Sequence, residues 1–87
     1  MKFATVKTIL TVAQENKQYI EINLKSRLGV HCDFTESDGH KPNIIGYNSD
    51  TEVISVLKDT VDVYIDCEAI EYIEVYKYKT YDIHHSY

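Results

Sequence analysis

Eighty-seven residues suffice for one domain with one modest core and not for two. A hydrophobic share of 44% argues against wholesale disorder, and no apolar run nears the roughly 18 residues that a membrane helix needs. The net charge of −5 is uneven: up to residue 30 five basic side chains face two acidic ones, beyond it four face twelve, and Asp59 to Glu74 holds six carboxylates without a lysine or arginine. Such a field repels nucleic acid and attracts basic partners.

In chain order, Ala4, Val6, Leu10 and Val12 share one parity, with Thr5, Lys7 and Thr11 opposite, which predicts a first strand with one buried side. Lys7 and the threonines interrupt the apolar run, so the segment reads as structure and not as a signal peptide. Glu15–Asn16–Lys17 is a polar turn. Ile20, Ile22 and Leu24 then alternate with Tyr19, Glu21, Asn23 and Lys25, and Leu28, Val30, Cys32 and Phe34 alternate with His31 and Asp33. Three consecutive strands predict a β-meander. Residues 35–43 gather turn formers and mark a loop, and Asn43–Tyr47 reads as a short fourth strand.

Ser49 with Glu52 three residues on has the form of a capping box. Behind it, Val53, Ile54, Val56, Leu57 and Val61 fall within about half of a helical circumference, which predicts one short helix around residues 50–59. From Val61 to Thr80 the sequence VDVYIDCEAIEYIEVYKYKT alternates again, with a bend at Cys67–Glu68–Ala69. The expected result is a β-hairpin at the C-terminal end, apolar on one side and tyrosine interleaved with carboxylate on the other. Tyr81–Tyr87 has no period and reads as a frayed tail. The predicted class is α+β, a mostly antiparallel sheet with one helix, in a single compact domain over residues 1–87.

The chemistry-bearing residues point away from catalysis. A zinc site would have to draw on His31, Cys32, Cys67, His84 and His85, but Cys32 and Cys67 stand alone and adjacent residues such as His31 and Cys32 point to opposite faces of a strand. A metal- or thiol-dependent protein is one alternative reading. His31 or His40 offers a base, but inward-facing thiols are poor nucleophiles. Three glycines form no phosphate loop, so no cofactor is implied. Carboxylates on an exposed strand face lack the desolvation that makes a general acid.

A small β-barrel-like nucleic-acid-binding module is a second alternative. It places tyrosines beside acids where phosphate contacts require lysine or arginine. The expectation is therefore a non-catalytic protein-binding domain, an inhibitor or adaptor whose candidate binding residues are Asp62, Tyr64, Asp66, Glu71, Tyr72, Glu74, Tyr76 and Tyr78. The partner would be a protein with a basic surface, such as a nucleic-acid-handling enzyme, which the acidic face covers by nucleic-acid mimicry. A viral or mobile-element anti-defence protein is the narrowest form of this reading, and a homodimer across the same face is the other occupant. Reduced thiols fit the cytoplasm; neither membrane nor direct nucleic-acid binding is expected.

Overall fold

A computed structural model describes residues 1–77. The expected frayed tail at 81–87, with His84 and His85, lies outside the described residues, as does Tyr78.

The chain opens with a helix, α1 (Phe3–Glu15), where a strand was expected. Val6, Leu10 and Ala13 are buried, four and then three residues apart, which is one helical stripe, while Ala4 and Val12 lie exposed. Val6 and Leu10 satisfy period two and period 3.6 alike. Polar Thr8 between them and buried Ala13 on the other parity separate the two. The helix closes in a Schellman motif: the Gln18 N–H donates to the Ala13 carbonyl and the Lys17 N–H to that of Gln14, with Lys17 left-handed at φ 55°. Glycine adopts that conformation without a Cβ penalty. The Lys17–Glu36 ion pair at 3.2 Å is exposed on both sides and adds little. Lys17→Gly is therefore expected to stabilise the chain by about 0.5–1 kcal/mol, read as a rise of a few degrees in thermal melting.

Strands β1 (Tyr19–Leu24) and β2 (Gly29–Asp33) pair antiparallel as expected, Glu21 opposite His31. The following loop is pinned at its neck. Asp33 N–H donates to Asn43 Oδ1 (2.9 Å), Asn43 N–H returns to the Asp33 carbonyl (2.8 Å), and Asp33 Oδ1 accepts from the backbone and hydroxyl of Thr35. Strand β3 (Ile44–Asn48) follows.

The helix expected at residues 50–59 is absent; the chain there forms a tight turn and strand β4 (Val53–Leu57). The Ser49–Glu52 capping box is replaced by Asn48, whose Oδ1 accepts the N–H groups of Asp50 and Thr51, and Glu52 is left-handed at φ 57°. Ile54 and Val56 are fully buried on one side, and Val53, Ser55 and Leu57 are half-buried on the other. A strand semi-apolar on both faces reads as an amphipathic helix when only its hydrophobic residues are counted. Branching at Cβ in Val53, Ile54 and Val56 is the signal that favours the strand.

The β-hairpin expected at the C-terminal end is likewise corrected. Strand β5 (Asp62–Asp66) pairs with β4, whereas β6 (Ile70–Val75) pairs with β1. Between them a 3₁₀ turn (Cys67–Ala69) carries the chain from one sheet to the other, capped by Asp66 Oδ1 on the Glu68 N–H at 3.0 Å. The sheets therefore run β2-β1-β6 and β3-β4-β5, and the meander is the second of these, not the first three segments. Alternation reports the face a residue takes and is silent on which strand lies beside it.

The class is α+β, with one α-helix and six antiparallel strands among the described residues. Their inner faces enclose one core that includes Leu10, Ile20, Ile22, Phe34, Ile54, Val56 and Ile70. Tyr47 ties α1 to the second sheet: Phe3 meets its ring edge-on, and the Lys7 ammonium sits 5.5 Å from the ring centre.

Candidate binding faces

With the core on their inner sides, both sheets turn an outer face to solvent. On the first, β1 contributes Tyr19, Glu21 and Asn23, β2 contributes His31, and β6 contributes Tyr72 and Glu74, with Tyr76 just beyond its end donating its N–H to the Tyr19 carbonyl. Glu21 and Glu74 are register partners, like charges directly opposite, an arrangement that destabilises a sheet unless each is held. Each is held. His31 Nε2 lies 2.7 Å from Glu21 Oε2, and Asn23 Nδ2 donates to Glu74 Oε1 at 3.1 Å. The other ring nitrogen of His31 is hydrogen-bonded to the Tyr19 hydroxyl, giving a Tyr–His–Glu chain across β1 and β2. Tyr76 stacks on Tyr19 with centroids 5.2 Å apart, and this cover, with His31 at the ring edge, leaves Tyr19 buried although it stands on the outer face. Desolvation, then the carboxylates of Glu74 and Glu21, push the Tyr76 phenol above its usual value.

The second outer face is separate. Asp62, Tyr64 and Asp66 are exposed along β5, in rows with Leu57, Ser55 and Val53 of β4. Tyr64 is 69% exposed because its row continues only into Ser55 and Gly46, and a Cβ at Gly46 would come within 2.5 Å of the Ser55 hydroxyl.

The expected single surface thus divides in two. Asp62, Tyr64 and Asp66 lie together on the second sheet, and Tyr72, Glu74 and Tyr76 lie together on the first. Glu71 is exposed at the register shift between Asn23 and Leu24. Parity turns Asp62, Tyr64, Asp66, Tyr72 and Glu74 outward, whereas Glu71 has the parity of Ile73 and is exposed because of the register shift. The partners that complete the first face, Tyr19, Glu21, Asn23 and His31, carry the same legible signal, since they alternate with Ile20, Ile22 and Cys32.

The groups with other chemistry lie apart. Cys32 and Cys67 are free and buried, and desolvation pushes the Cys32 thiol up to about 12 and raises that of Cys67 as well. Among the described residues no group of three or more His, Cys, Asp or Glu side chains is placed to hold a metal ion. His40 stands near Asp33, with Nε2 3.4 Å from Oδ2. An open cleft of about 530 Å³ is lined by Met1, Lys2, Lys25, Glu52 and Glu68; it mixes both signs of charge, and no tyrosine, thiol, hydroxyl or imidazole side chain lines it. No described helix is long and apolar enough to cross a membrane. Compared with protein-family models, with curated proteins and with solved structures, the chain matches none.

Proposed function

We propose that this chain is a small non-catalytic protein-binding domain that covers a basic surface of a larger partner. The observation that carries the reading is the outer face of the first sheet: Tyr72, 50% exposed, stands among Glu71, Glu74 and Asn23 with no element of the described residues packed over it. Tyrosine supplies a large contact area with few torsions to freeze, and the surrounding carboxylates select a cationic target. The bonds that tie Glu21 to His31 and Glu74 to Asn23 fix two of those charges before binding, which lowers the ordering cost. A nucleic-acid-handling enzyme is the kind of partner such charges suit, and a viral or mobile-element inhibitor acting in the cytoplasm is the narrowest form of the proposal.

The test is affinity capture from cell extract with the wild-type chain beside a variant in which Asp62, Asp66, Glu71 and Glu74 are replaced by lysine. The expected result is a captured protein with a basic surface that is lost with the variant and at high salt. Thermal melts verify that the variant is folded. Equal capture by both chains removes the acidic faces from the function.

A further inference from the structure

We propose that the free edge of β5 takes up an extended, basic segment of the partner as an additional strand. This inference rests on the reading of the acidic faces and names the segment that one of them would recognise. Among the described strands β5 pairs only with β4 and forms an edge of its sheet. The ladder fixes which backbone groups are free. The Cys67 N–H donates to the Glu52 carbonyl and the Lys58 N–H to that of Val61, so hydrogen-bonded pairs fall at Val61, Val63, Ile65 and Cys67. Asp62 and Tyr64 therefore aim both N–H and C=O groups away from β4, and Asp66 its N–H alone, since its carbonyl is taken up by the 3₁₀ turn that it caps. These are also the three residues whose side chains stand exposed on the outer face. Backbone affinity and side-chain selection coincide on one edge, the arrangement that strand addition uses.

The charge pattern names the occupant. Edge strands are ordinarily protected by charged side chains, lysine above all, by proline or by a bulge. Residues 62–66 read Asp-Val-Tyr-Ile-Asp, with regular register and no lysine, proline or bulge, so two aspartates alone guard this edge. The pattern is the same in both directions. A second copy of the chain pairing antiparallel about Tyr64 would set Asp62 against Asp66 of that copy, like charge on like charge. A strand with lysine or arginine two residues to either side of an apolar residue sets a cation opposite each aspartate and an apolar side chain opposite Tyr64. The edge thus rejects itself and fits a basic strand.

The experiment titrates the isotopically labelled chain with a blocked peptide containing Lys-Thr-Leu-Thr-Lys, followed by NMR shifts and calorimetry. Controls are the same residues ordered Lys-Lys-Leu-Thr-Thr and two N-methylated peptides. Methylation at the central leucine removes the N–H that would bond the Tyr64 carbonyl; methylation at a threonine alters an N–H that points away. The expected result is shifts centred on Asp62, Tyr64 and Asp66. The reordered and leucine-methylated peptides should bind at least tenfold more weakly, the threonine-methylated one nearly as well. Tyr64→Pro should abolish binding with the ladder to β4 intact, because that N–H faces outward. The methylated peptides give the same answer on the unaltered chain should that variant fail to fold. Equal binding by both peptide orders, lost when Asp62 and Asp66 become lysine, overturns strand addition and leaves the acidic reading standing. Failure of both to bind overturns strand addition, and the capture comparison then judges the acidic reading separately.

Discussion

Leu10→Ala is expected to remove roughly 2–5 kcal/mol of unfolding free energy, because a fully buried side chain leaves both lost transfer energy and a cavity. Val12→Ala, two residues on and about half exposed, is expected to change stability by less than about 0.5 kcal/mol. The pair separates a helix from a strand at the N-terminal segment, since in a strand the two side chains would share one face and both losses would be large. Denaturant unfolding of the two variants beside the wild type reads the difference directly. A domain of this size has on the order of 5–15 kcal/mol in total, so the leucine variant lies close to the limit of folding. Comparable losses at both positions would contradict the helical stripe of Val6, Leu10 and Ala13.

The second large effect comes from alkaline pH. The Cys32 thiol is fully buried between the sheets, and its folded value of about 12 stands above the ordinary 9.0 because desolvation penalises the thiolate; Lys58 opposes that rise and Asp33 adds to it. The unfolded chain therefore releases this proton first as pH climbs. Stability from this group is complete below about pH 9 and is lost between about 9 and 12, at up to roughly 1.4 kcal/mol per pH unit. Tyr47 and Tyr76, whose phenols are also raised, steepen the loss in the same direction above their usual value of 10.0. Cys32→Ala should lower stability at pH 7 and flatten its decline from pH 9 to 11, measured by urea unfolding at a series of pH values. A decline as steep in the alanine variant as in the wild type would remove the thiol from this account. The same burial predicts that Cys32 and Cys67 react with a thiol reagent at neutral pH only as fast as the chain opens. Fast labelling in the native state would favour a thiol-dependent activity over the binding role.

How much of this was legible in the sequence depends on what each residue pattern encodes. Ile20, Ile22 and Leu24 alternate without interruption, and β1 forms where they stand. Tyr72 and Glu74 face outward as their parity requires, and so do Asp62, Tyr64 and Asp66. The N-terminal segment was misleading because a spacing of four residues suits a strand and a helix equally, and three threonines weighed toward the strand. Val53–Leu57 was misleading for the opposite reason: β4 carries apolar side chains on both faces, buried on one and half-buried on the other, and that pattern imitates a helical arc. The division of the binding surface was beyond reach. Asp62–Asp66 and Ile70–Val75 carry matching alternation, and only the 3₁₀ turn between them sends them to different sheets.

That corner also dictates an order of assembly. The β3-β4-β5 meander closes through tight turns between neighbours in the chain and can form as soon as its residues are available. The first sheet can form its β1–β2 hairpin early but cannot be completed: Ile20 must wait for Val75, across the whole of the other sheet. Closing so long a loop costs on the order of 1–2 kcal/mol more in chain entropy than closing a hairpin, before any contact repays it. The β1–β6 seam should therefore form late in folding. Substitutions in β6 would then mainly speed unfolding, while those in β4 would slow folding. On a ribosome the tyrosine–carboxylate face of the first sheet would come into being only when synthesis has passed β6, so a nascent chain would present the β5 edge before it presents Tyr72.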